Sequence, residues 1–270
     1  MVADPVILAI DQGTTSSRAV IFDRQGRPLG SAQQETRQQY RQPGWVEQDA
    51  GEIIEVTFAM VRRVLEETGI GVEQVASIGL TNQRETTVLW DRMTGEPVAP
   101  AIVWQSRQTG PLVAEIHERG MAETYQRITG LVPDAYFSAT KIAWLLREHP
   151  DLRERAERAE LAFGTVDSWL FWHLSGGTQH VTDYSNASRT MLYDIHELEW
   201  SQPLLDDLEI PRGILPEVRG NSEILFESDP RLFGRAVPVG GVAGDQQSAM
   251  FGQACFTQGE AKNTYGTGSF

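Results

Sequence analysis

The chain has 270 residues with 23 Lys+Arg against 37 Asp+Glu, a formal charge of −14, which excludes a nucleic-acid or anionic-membrane surface as the main partner because both require a basic face. With 40% hydrophobic and 22% charged residues it has the composition of an ordinary globular protein. Its one cysteine, Cys255, rules out an internal disulfide and any multi-cysteine metal or redox centre; no apolar run reaches the roughly 18 residues of a membrane span, and the start lacks a signal-peptide pattern, so a cytoplasmic protein is expected.

In chain order, the apolar run 6–10, the turn Asp11-Gln12-Gly13-Thr14-Thr15 and the run 18–23 predict strand, tight turn, strand. Gly26 and Pro28 supply a second reversal, and residues 29–37 can make a third strand, giving an antiparallel meander. From Asp49 the period changes: Asp49 and Glu52 have capping-box spacing, and Ile53, Val56, Met60, Val61, Val64 and Leu65 recur at helical intervals up to Gly69. Strands are expected at 75–80, 87–90 and 101–104, then helices at 138–148 and 151–160, the charged run 153–158 forming a solvated face. Residues 237–239 suit a short edge-compatible strand, followed by a helix to about Gly252. Cys255, inside the apolar run 250–256, is expected to be buried and inert. A meander followed by alternating strands and helices predicts an α/β fold, a mixed sheet flanked by helices. The tail 261–270 stops inside a strand-turn pattern, as a fragment of a longer chain would.

Three segments carry candidate chemistry. The turn 11–15 offers backbone N–H groups and two hydroxyls to a phosphate, with Asp11 useful beside it if a divalent cation mediates; the same residues also suit a plain hairpin turn. Gly244-Asp245-Gln246 sets a carboxylate at a helix start, either as an N-cap or as a proton acceptor. Gly266-Thr267-Gly268 adds a further hydroxyl turn, and three such turns suggest one shared cleft. Arg84-Glu85 follows a strand end, where ligands of α/β sheets bind, although neighbouring surface charges read the same way. Trp104 and Tyr136 suit core or pocket wall. The five histidines are too scattered for a metal pair, and the nucleophile-elbow, dinucleotide and Walker patterns are absent.

Taken together, Asp11-Gln12-Gly13-Thr14-Thr15-Ser16-Ser17, Thr81-Asn82-Gln83-Arg84-Glu85-Thr86-Thr87, Thr182-Asp183-Tyr184-Ser185-Asn186-Ala187-Ser188-Arg189-Thr190 and Ala243-Gly244-Asp245-Gln246-Gln247, with the segments 43–49, 101–105 and 136–148, resemble the N-terminal half of the FGGY carbohydrate kinases of the actin-like ATPase superfamily. Within that family Arg84-Glu85 is similar to the glycerol kinases rather than the pentose kinases. The resemblance implies an RNase H-like mixed sheet, an N-terminal substrate-binding domain over 1–255 and the start of a nucleotide-binding domain over 256–270. It further implies ATP-dependent phosphorylation of glycerol to sn-glycerol 3-phosphate. Arg84, Glu85, Asp245 and Gln246 would bind the glycerol hydroxyls, Trp104, Tyr136 and Phe270 would line the pocket, and Asp245 would be the general base. Thr14, Thr15, Ser16, Arg18 and Thr267 would contact phosphates, Asp11 would hold Mg²⁺ through water, and the whole enzyme would be a dimer or tetramer. The stretch 227–235 balances Glu227 and Asp229 against Arg231 and Arg235 and has one glycine, where the family has a basic, Gly-rich loop, so the resemblance gives no ground for inhibition by fructose bisphosphate. Two other readings stay open: an FGGY kinase for another polyol or a pentose, and a non-catalytic nucleotide switch, which would have no use for Arg84-Glu85 together with Asp245-Gln246.

Overall fold

A computed structural model describes residues 4–265 and 269–270. Three strands, β1 (Val6–Gln12), β2 (Ser16–Phe22) and β3 (Pro28–Glu35), form the expected antiparallel meander. The second reversal is closed by Asp23, whose Oδ1 accepts from the Gln25 and Arg27 amides at 2.8 and 2.9 Å, with Gly26 at φ 74°. Strand Val75–Asn82 then pairs parallel with β1, and strand Pro238–Gly244 pairs parallel with Val75–Asn82. The sheet order, from its far edge, is Phe226–Glu227, Pro238–Gly244, Val75–Asn82, β1, β2, β3, the mixed RNase H-like arrangement. The short strand expected at 237–239 is instead the seven-residue Pro238–Gly244, lying one place inside the edge.

The helix α1 (Ala50–Thr68) covers one face. Asp49 caps it by accepting from the Gly51 and Glu52 amides, and Gly69 ends it in the left-handed conformation at φ 66°. Only half of the expected capping box forms, because the Glu52 carboxylate pairs with Arg37 instead. The side chains Ile53, Val56, Met60, Val61 and Val64 pack with Val6, Leu8, Ile10, Ala19 and Ile21 in one core, each such burial contributing roughly 2 kcal/mol over an exposed position.

Between the two parallel strands the chain makes a long excursion with its own core, built on helices Gly110–Glu118, Ala122–Thr129, Ser138–Glu148 and Pro150–Glu157. The expected strand at 101–104 shortens to Ala101–Ile102, although Val103 still donates to the Val46 carbonyl. His173 and His180 stack against Trp169 and Trp90 at 4.2 and 5.2 Å, and burial holds both imidazoles down to about 4. Cys255 departs from expectation. It is half-buried, because the helix Asp245–Gly252 buries none of its residues, and Phe251 and Phe256 beside it are 74% and 67% exposed. Among the described residues no helix is long and apolar enough to cross a membrane.

Candidate active site

Because β1, Val75–Asn82 and Pro238–Gly244 run parallel, their C-terminal ends lie together, and each is followed directly by candidate residues. β1 ends at the turn carrying Thr14 and Thr15, Val75–Asn82 leads into Arg84 and Glu85, and Pro238–Gly244 leads into Asp245 and Gln246. These side chains, with Gln83, Trp104, Tyr136, Thr264 and Phe270, line a single cavity of about 190 Å³. The hairpin reading of 11–15 holds, and it leaves Thr14 and Thr15 free to line the cavity. The turn joins β1 to β2 and also forms a cavity wall.

Arg84 and Glu85 are buried, at 6% and 1% exposure, which removes the reading of incidental surface charge. Glu85 Oε1 accepts from Arg189 Nε at 2.8 Å and lies 3.9 Å from Arg84 Nε. Arg84 Nε is 3.1 Å from Asp245 Oδ1, yet its N–H does not point at that oxygen and has no hydrogen-bond partner among the described residues. A buried guanidinium donor is thus unspent beside the cavity, which is costly unless a bound group accepts it. The approach depends on Gly244, since a Cβ there would sit 2.5 Å from Arg84 Cγ. Gly244 itself is the N-cap, so Asp245 is the first residue of the helix and its carboxylate is not spent on capping in the usual way; Oδ1 accepts only from the adjacent Gln246 amide, at 2.7 Å.

Three aromatic rings close the cavity. Trp104 lies 5.3 Å from Tyr136 and 6.1 Å from Phe270, and the Arg84 guanidinium stands 5.9 Å over Phe270. Trp104 also donates from Nε1 to Thr14 Oγ1 at 2.8 Å, tying the cavity wall to the phosphate-type turn. Tyr136 keeps its proton, with its phenol pushed up to about 12 by burial and by the Glu85 charge. Behind it, buried Lys141 donates to the Tyr136, Phe137 and Glu85 carbonyls; burial pulls its ammonium down to about 7 while Glu85 opposes that.

On the turn side, Ser16 and Arg18 lie outside the cavity lining. Gln33 on β3 orients both, donating to Ser16 Oγ at 2.8 Å and accepting from Arg18 Nε at 3.2 Å. Asp11 is held above the usual carboxylate range by burial and by the charge of Asp245, with Arg18 opposing. Asp11, like Ser16 and Arg18, lies outside the cavity lining. Among the described residues no three ligating side chains converge. Thr267 lies outside the described residues.

Sequence reasoning gave no role to Gln33, Gln48, Gln83 or Lys262. Gln48 donates to the Thr14 carbonyl at 2.8 Å, Gln83 donates to Gln48 Oε1 at 2.9 Å, and Lys262 donates to Gln246 Oε1 and, at 2.7 Å, to Thr264 Oγ1. Gln48 and Gln83 lie inside motif segments that were visible, whereas Gln33 and Lys262 reach the site only through sheet pairing and the return of the chain.

The sequence pattern of the N-terminal domain of the FGGY family of carbohydrate kinases matches residues 6–252. A glycerol kinase of Halorhodospira halophila is 59% identical over 98% of this chain and 52% of its own length, and one of Symbiobacterium thermophilum is 56% identical over 98% and 53%. The crystal structure of Plasmodium falciparum glycerol kinase with ADP superposes with a TM-score of 0.94 at 34% identity, covering 98% of this chain and 53% of that one. The chain therefore spans about half the length of the relatives it matches. By sequence along nearly its whole length, and by the mixed sheet whose strand ends gather this cavity, the chain belongs to the FGGY family of carbohydrate kinases.

Proposed function

We propose that the chain is the acceptor-binding half of an ATP-dependent kinase that phosphorylates glycerol at a terminal hydroxyl to give sn-glycerol 3-phosphate. The observation that carries this reading is the unspent Arg84 donor in a small cavity shared with Glu85, Asp245 and Gln246. A three-carbon triol offers hydroxyls to donors and acceptors alike, and its carbon edge fits against Trp104, Tyr136 and Phe270. A ligand lacking a hydroxyl would leave a buried hydrogen-bond donor unmatched, which is how such a site discriminates.

The acceptor alcohol is too weak an acid to ionise near neutral pH, so Asp245 takes its proton as the phosphoryl group arrives. Arg84 and Gln246 hold the triol in line, and Glu85 is oriented by Arg189. The N–H groups of the turn 13–15 and the Arg18 guanidinium face the transferring and β-phosphates, with Thr14, Thr15 and Ser16 contributing hydroxyls. Mg²⁺ carried with the nucleotide supplies charge neutralisation; Asp11 would hold it through water. Residues 256–270, Thr267 included, open the second domain in this reading.

Titration calorimetry of glycerol into this chain, beside Arg84→Ala, tests the pocket: heat of binding that the variant abolishes is expected. A coupled assay on the full-length protein carrying this chain tests the reaction. Turnover of xylulose or erythritol with none of glycerol would overturn the proposal.

A further inference from the structure

The segment 182–190 contributes nothing to the cavity lining, yet it touches the chain immediately behind each charged group that does. Asp183 is fully buried, and its carboxylate collects four donors: the Ser185 amide at 2.7 Å, Ser185 Oγ, Asn186 Nδ2 at 2.6 Å and Asn221 Nδ2 at 2.6 Å. With its O–H donated in a hydrogen bond to Asp183, the Ser185 hydroxyl accepts from the Gly244 amide at 2.8 Å. Asn221 also donates to the Val242 carbonyl at 2.9 Å and accepts from the Val242 amide at 3.1 Å. The edge of this strand end that is not paired with Val75–Asn82 is thereby pinned, at Val242 and Gly244, to one carboxylate. At the neighbouring strand end, Asn186 and Asn82 exchange amide hydrogen bonds of 3.0 and 3.1 Å, two residues before Arg84. Arg189 then reaches Glu85 and lies 5.0 Å over Phe137 and 5.9 Å over Tyr136.

We infer that Asp183 and Ser185 are positioning residues for the base Asp245, and that Arg189 is a positioning residue for the acceptor-binding Glu85. Resting on the proposed phosphoryl transfer, this assigns the two posts different kinetic effects. The Asp183–Ser185 post fixes a carboxylate whose larger role comes as the proton leaves, so loosening it lowers kcat more than it raises KM; displacements of about 1 Å at such a group cost on the order of a hundredfold. The Arg189 post fixes a group that binds the triol in the ground state, so loosening it raises KM.

The experiment uses the full-length protein carrying this chain, with Ser185→Ala, Ser185→Thr and Arg189→Ala compared for steady-state kinetics and for hydrogen exchange in the peptide spanning 240–248. Ser185→Ala is expected to lower kcat about 10- to 100-fold with the glycerol KM within about threefold, and to speed exchange at the Gly244 amide, while Ser185→Thr, which keeps the oxygen, restores both. Arg189→Ala is expected to raise the glycerol KM about tenfold or more, with kcat changed less. Ser185→Ala with unaltered kcat and exchange, or with faster exchange throughout the sheet and no recovery in Ser185→Thr, would overturn the inference. A wild-type protein that phosphorylates no polyol would sink the glycerol reading alone, since exchange at Gly244 still reports whether Ser185 holds that strand end.

Discussion

Arg84 and Asp245 stand 3.1 Å apart, yet their substitutions should separate in kinetics. Asp245→Asn keeps the shape and can still hydrogen-bond the triol, but an amide does not take up the proton; kcat should fall roughly 10²- to 10⁴-fold with glycerol KM within about tenfold. Arg84→Ala should raise the glycerol KM most, and an effect confined to the KM for ATP would displace the pocket from where we put it. Trp104→Phe probes a third point. It keeps a ring against Tyr136 but removes the donor on Thr14 Oγ1, so the KM for ATP should rise together with that for glycerol, and an ATP KM equal to wild type would show that the indole N–H does not hold the turn. At this scale the sequence was legible wherever a motif kept its residues adjacent, as in Arg84-Glu85 and Asp245-Gln246. It was silent on Gln33 and Lys262, because nothing in their own neighbourhoods says which strand or loop will come to lie beside them.

The elements explain why those pairs are placed so tightly. Helix Ser138–Glu148 begins where the sequence pattern put it, but its use for the site comes from Lys141, which no periodicity distinguishes from a core error. A buried lysine among apolar neighbours makes physical sense here only because the Tyr136, Phe137 and Glu85 carbonyls need a donor. Lys141→Met should cost about 1–3 kcal/mol through the carbonyls it strands and raise the glycerol KM by releasing the Tyr136 loop. Urea unfolding beside steady-state kinetics measures both, and a loss of stability with an unchanged KM would make the lysine purely structural. At the other face of the sheet, Asp49→Ala removes an N-cap and should cost about 1 kcal/mol with kinetics untouched. Cys255 was misplaced for the opposite reason. The run 250–256 is apolar enough for a core, but it spans the end of a helix that buries none of its residues and the exposed turn after it.

At the scale of the molecule, the meander and the mixed sheet followed from hydrophobic period and turn chemistry, whereas the adjacency of strands 75–82 and 238–244 across some 150 intervening residues did not; parallel pairing leaves no local signature. That adjacency creates the buried polar layer beneath the site, and its titration is a global observable. Asp167 is fully buried and accepts from Thr165 Oγ1 at 2.5 Å and Thr182 Oγ1 at 2.7 Å. Burial first, and the charge of Asp183 second, push its carboxyl up to about 7 from the ordinary 3.8. Below about pH 4 the group is protonated both folded and unfolded, and its contribution to stability is complete. Between about 4 and about 7 the unfolded chain has released a proton that the folded chain still holds, so stability drains away as pH rises through that window. Asp183, raised in the same direction by burial, adds to the slope. Asp167→Asn removes this titration and relieves its partner, so urea midpoints at pH 4.5 and 7.5 should lie closer together in the variant than in the wild type. Parallel shifts of the two proteins would mean that Asp167 is ionised throughout, held by its threonines against the burial that opposes it.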